Sequence, residues 1–180
     1  MKLLPAPRLR RAAAAALVLT ATAALTGCSG ASPSVVAYVG GEKITQTQLE
    51  QAVDGLSTTL QEGQTVSSEA VVNAMIQGEL AEQIAAEQGI ALTDADREAV
   101  LAQSELAPLT KVPEAREVVN DVADSQIVAQ KLGADAFLAE LAERDVTLNP
   151  RYGVLDPAQK TVVSGRTGSL SEPVEPAPAP

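Results

Sequence analysis

The sequence predicts a mostly α domain closed by a small β-sheet that an N-terminal hairpin and a C-terminal strand form together. Three observations carry that expectation: several stretches whose apolar residues recur at steps of three and four, an early β-rich run ending in Gly-Gly, and short β-rich segments late in the chain. The 180 residues leave room for one domain with a real apolar core, and not comfortably for two.

Val35-Val36-Ala37-Tyr38-Val39 is apolar and rich in β-branched residues. Gly40-Gly41 supplies the two positive-φ positions of a tight turn, so Glu42-Lys43-Ile44 is the expected return strand. Thr45 then starts a first helix, with Gln48 completing a capping box and Leu49, Val53, Leu56 and Leu60 on one face. Glu62-Gly63-Gln64 breaks the pattern. Ser67 or Ser68 caps a second helix carrying Val71, Val72, Met75, Ile76, Leu80 and Ile84; Gly89 ends it as a left-handed cap, with Ile90 folding back.

Thr93 caps a third helix with Asp94 and Asp96 in its first turn, where carboxylates suit the helix dipole, and Pro108 is expected to end it. A fourth helix begins near Pro113 and sets Val118, Val119, Val122, Ala123 and Ile127 at helical spacing. Gly133 divides it from a shorter piece with Phe137, Leu138 and Leu141 that ends near Arg144. Val146-Thr147-Leu148 and Thr161-Val162-Val163 read as strands. A two-stranded hairpin is marginal alone, so these late strands are expected to pair with the early one and bring the ends of the domain together.

Composition removes whole classes of function. The chain has no histidine, hence no histidine general base, no imidazole metal ligand and no Ser-His or Cys-His pair. Four of its 13 positive charges lie in the first eleven residues; the remainder sets nine against 23 acidic groups, a net of −14. That sign repels phosphate backbones and anionic lipid, so no nucleic-acid partner is expected. The single cysteine forms no internal disulfide, and stability must come from packing.

Residues 1–11 are basic, the fourteen residues from Ala12 to Leu25 are uncharged, and Leu25-Thr26-Gly27-Cys28 follows. This resembles a bacterial lipobox. The apolar run is shorter than the roughly 20 residues a spanning helix needs, which fits a signal peptide over 1–27. Small residues at Thr26 and Gly27 suit an extended peptidase substrate, and the Cys28 thiol is the expected lipid attachment point. At about 0.8 kcal/mol per methylene, two acyl chains hold a protein to a membrane with on the order of 20 kcal/mol. The expected location is the extracytoplasmic face of a cell membrane. Residues 28–34 then read as a lipidated tether, 35–163 as the folded domain, and the proline-rich 164–180 as a disordered tail.

No catalytic or metal site emerges, and the expectation is no enzyme and no cofactor. The run from Asp94 to Ala99 has Ala where a calcium loop turns on Gly, so it reads as a helix start. The carboxylate pairs Glu79 and Glu82, Glu114 and Glu117, and Asp121 and Asp124 read as solvated helix faces. There is no Ser-x-x-Lys dyad and no glycine-rich phosphate loop.

The opening run from Val36 to Thr45, with Gly40, Gly41 and Ile44, resembles the start of the SurA and PrsA class of extracytoplasmic chaperones. The runs Val72 to Leu80 and Glu87 to Ile90 with the Thr93-Asp94 cap are similar to the N-terminal domain of that class. Thr147-Leu148-Asn149-Pro150-Arg151-Tyr152-Gly153 looks like its closing strand. Two positions depart from the pattern: Gly40 replaces the usual Asn, and Leu155 stands where Trp is common. A parvulin-type isomerase domain often precedes the closing strand in that class; here the interval from Gly133 to Val146 is too short for one, and the histidines of such sites are missing. The resemblance implies a peptide-binding core without its enzyme, with unfolded or extended secreted polypeptides as clients. The alternative expectation is a non-catalytic adaptor or scaffold for one cell-envelope partner.

Overall fold

A computed structural model describes residues 32–58, 60, 64–102 and 104–163; the signal segment, Cys28 and the tail 164–180 lie outside them. The hairpin forms as the Gly-Gly turn requires: β1 (Val35–Val39) pairs antiparallel with β2 (Glu42–Thr45), and Gly40 and Gly41 take φ of +56° and +104°. On its other side β1 pairs antiparallel with β3 (Val146–Leu148), giving the order β2-β1-β3. Central position explains the sequence of β1, because a strand with neighbours on both edges and core on its faces is apolar nearly throughout, and four of its five residues are buried. The register shifts between Val35 and Ala37. Ser32–Ser34 belong to this body as well, since the Ser34 carbonyl accepts from the amide of Gln46 at 2.9 Å.

Five α-helices follow among the described residues. α1 (Gln46–Ser57) starts with both halves of the expected capping box between Thr45 and Gln48. It ends before Leu60, which therefore stands beyond the helix instead of on its face. α2 (Ser68–Gln88) is capped by Ser67, buries all six expected apolar residues and ends at Gly89 with φ +67°. The Ile90 amide bonds back to Ala85, as a C-terminal cap dictates. α3 (Asp94–Leu101) is capped by Thr93 but stops well short of Pro108, which sits inside a separate 3-10 turn, Ala107–Lys111. Proline was expected to terminate a helix. Instead its fixed φ suits the first turn of a new one.

α4 (Pro113–Leu132) begins with Pro113 in its first turn, and Gly133 separates it from α5 (Ala134–Glu143). Of the three large apolar residues of α5, Leu138 is 47% exposed, while Phe137 and Leu141 are buried against the body. α4 packs along both α1 and α2. Two glycines let it come close. A Cβ on Gly55 would lie 2.6 Å from the Ala115 amide nitrogen, and one on Gly78 would overlap Asp121.

The last strand departs from expectation. β5 (Val162–Val163) pairs with β4 (Val154–Leu155) in a separate two-stranded sheet and not with the hairpin. Gly153, at φ +135°, turns the chain into β4, and the Asn73 side-chain amide engages both the N–H and the C=O of Val162. Gln77 Nε2 donates to the carbonyls of Gln159 at 2.8 Å and Lys160 at 3.1 Å. The polar side of α2 thus satisfies the backbone that a sheet neighbour would otherwise pair with.

Candidate functional site

The residues of the resembling motif build a structural latch. Asn149 is 4% exposed; its amide nitrogen donates to the Val35 carbonyl at 2.9 Å, its backbone N–H donates to Val36, and its Oδ1 accepts from the Arg151 amide at 3.2 Å. Pro150 opens the 3-10 turn Pro150–Tyr152, Arg151 is exposed, and Tyr152 packs half-buried on the core. Gly40 faces Gln83, whose Nε2 donates to the Val39 carbonyl at 3.0 Å, and Ile44 is buried. Gly40, Gly41 and Ile44 therefore lie at the hairpin, while Asn149 to Gly153 clamp β1 to the late strands. Because the buried Asn149 side chain makes two hydrogen bonds to the backbone that Ala cannot make, Asn149→Ala is expected to cost about 1–3 kcal/mol in urea unfolding. A change below about half a kcal/mol would remove Asn149 from this role.

An apolar groove is the feature suited to binding. Its narrow part is a cavity of about 170 Å³ between α1, α2 and α4, lined among others by Leu56, Val66, Ala70, Ala74, Val118 and Val122. Past Leu56, Val66 and Leu106 it widens into a recess of about 470 Å³ that includes Leu60, Pro108 and Leu109, with Gln64 and Glu105 as its polar lining. The 3-10 turn and α3 give this end its own apolar cluster, in which Leu101, Leu109 and Val119 are buried. The groove thus lies along the boundary of two packed clusters. Val118 and Val122 were expected as members of a helical stripe; Ala70, Ala74, Val66 and Leu106 were not singled out. The signal for Ala70 and Ala74 was the small-residue spacing Ala70, Ala74, Gly78 on α2, which is faint beside the large aliphatics of the same helix; Val66 and Leu106, outside any helical stripe, carried none.

Beyond Gly78 the seam between α2 and α4 turns acidic. The pair Asp121 and Asp124 is not a solvated face: Asp124 is fully buried, and Arg97 grips it with Nε and Nη2, each at 2.8 Å. Burial, followed by the charges of Glu117, Glu82, Asp124 and Glu79, pushes Asp121 from 3.8 up to about 8. Burial also raises Glu82, with Glu79 adding to it. Glu114 and Glu117 are exposed, as expected. Asp94 and Asp96 do mark a helix start: Asp94 pairs with Arg97 at 3.1 Å and Asp96 with Lys131 at 2.9 Å. Among the described residues no group of three or more acidic or thiol side chains is placed to hold a metal ion, and no helix is long and apolar enough to cross a membrane.

A family model described as SurA-like N-terminal domain matches residues 11–112, more than half of the chain. No curated protein and no solved structure matches it. The match takes in the hairpin, α1 to α3 and the 3-10 turn, while the closing stretch Thr147 to Gly153 lies outside it.

Proposed function

The chain belongs to the SurA-like N-terminal domain family, a relationship to chaperones, and on that premise we propose that it is an extracytoplasmic, membrane-anchored lipoprotein that holds unfolded secreted polypeptides. The observation that carries the binding reading is the apolar groove between α1, α2, α4 and the 3-10 turn, which is open to solvent, lined by aliphatic side chains in its narrow part and joined by Gln64 and Glu105 in the wider one. Apolar surface left open on a folded domain is costly unless something covers it part of the time. A groove of this kind takes side chains of an extended or helical segment without reading its full sequence. It calls for no cofactor and no catalytic group. The anchor reading rests on Cys28, the single cysteine, standing directly after Leu25-Thr26-Gly27.

The full chain is expected to suppress aggregation of several unrelated unfolded proteins, and Ala74→Glu, which puts a charge into the groove, is expected to remove most of that activity without changing the melting temperature by more than a few degrees. Unimpaired suppression by this variant would rule the groove out as the binding surface. Intact mass of the membrane form tests the anchor: cleavage before Cys28 with added acyl mass supports it, and an unmodified full-length chain overturns it.

One observation favours a second reading, an adaptor for a single envelope partner. The chain has only three aromatic residues and two methionines, and none of the residues lining the narrow part of the groove is aromatic. Promiscuous binders lean on such side chains. Recovery of one partner in fixed stoichiometry, with no effect on unrelated clients, would decide for the adaptor.

A further inference from the structure

We propose, resting on the groove as the binding surface, that the seam between α2 and α4 prefers segments in which an apolar run is followed within a few residues by Lys or Arg. Ala70, Ala74, Gly78 and Glu82 fall at four-residue spacing and form one stripe along α2. Ala70 and Ala74 line the apolar cavity opposite Val118 and Val122. One turn on, roughly 5.4 Å further, Gly78 lets Asp121 lie against α2. The aliphatic lining of the cavity is therefore succeeded, one turn further along the same helices, by a group of carboxylates.

Apart from Asp124, those carboxylates form no ion pair among the described residues. Glu79 and Glu82 come from α2, and Glu117, Asp121 and Asp124 from α4. The cation that α3 brings to them, Arg97, is already committed, with Nε and Nη2 on Asp124 and Nη1 on Asp94. Burial first, and then the charges of Glu117, Glu82, Asp124 and Glu79, favour a proton on Asp121. A cationic side chain placed there would meet an attractive potential and replace that proton as the neutralising charge. An acidic side chain would be repelled, which gives the groove a sign selectivity that apolar contact alone cannot supply.

The test uses the full chain and fluorescent peptides that share one Leu/Val/Ala run and end in Lys-Lys, Ser-Ser or Glu-Glu, followed by anisotropy at low salt. The Lys peptide is expected to bind about tenfold tighter than the Ser peptide, and the Glu peptide more weakly than either. The double variant Glu82→Gln, Glu117→Gln is expected to erase the Lys preference while leaving Ser-peptide affinity in place. Equal binding of the Lys and Ser peptides, or a preference that survives in the double variant, overturns the charge selectivity and leaves the groove standing. Failure of all peptides to bind overturns the groove as well.

Discussion

Asp124→Ala is expected to cost about 3–5 kcal/mol of folding stability, because it strands a guanidinium in a site built for its partner. Asp124 is fully buried, and both of its oxygens accept from Arg97 at 2.8 Å. The Arg97 side chain is itself only 20% exposed, so little water is available to replace the lost carboxylate. Truncation also leaves a void where α3 meets α4. Urea unfolding reads the effect as a lower midpoint at unchanged slope. Replacing both partners with apolar residues, as in Asp124→Leu with Arg97→Met, is expected to restore most of the loss, since no buried charge then remains. A single variant within about 1 kcal/mol of the parent would show that the pair is far better hydrated than its burial indicates. The pair matters to the groove because it ties down α3, whose Leu101 supports the apolar cluster under the 3-10 turn.

The parent is expected to lose stability steadily as pH rises from about 5 to about 8, and Asp121→Asn is expected to abolish most of that loss. Asp121 has its folded value raised from 3.8 to about 8, first by burial and then by Glu117. Across the interval between those values the folded state keeps a proton that the unfolded chain has released. Unfolding free energy therefore falls with pH, by up to about 1.4 kcal/mol per pH unit. Below the unfolded value the contribution is complete, and above the folded value it is gone. The absence of histidine keeps that window clear of imidazole titration. Glu87, held low by its bond to Arg144, and Asp96, held low by Lys131, act in the opposite sense: their contributions are lost as pH falls, below about pH 4. Thermal melts across the window provide the measurement. A parent profile that is flat, or that rises with pH, would contradict a protonated Asp121 in the folded state.

The sequence by itself determined the local grammar of this protein. Thr45 with Gln48, Ser67, Thr93, Pro113, Gly89 and the Gly40-Gly41 turn each acted where they stand, because caps and turns depend on backbone groups only a few residues away. The large aliphatics of α2 declared their buried face for the same reason of spacing. Where the signal depended on distant partners it failed. Pro108 began a turn instead of ending a helix, and β5 turned to β4 under the hold of Asn73 on Val162. Only the tertiary structure decided that the acidic pairs of α4 divide, Glu117 outside and Asp124 sealed against Arg97, and that small residues on α2 open a trough. Burial and electrostatic field are properties of what packs opposite, and for Gly78 and Asp121 that opposite surface lies more than forty residues away along the chain.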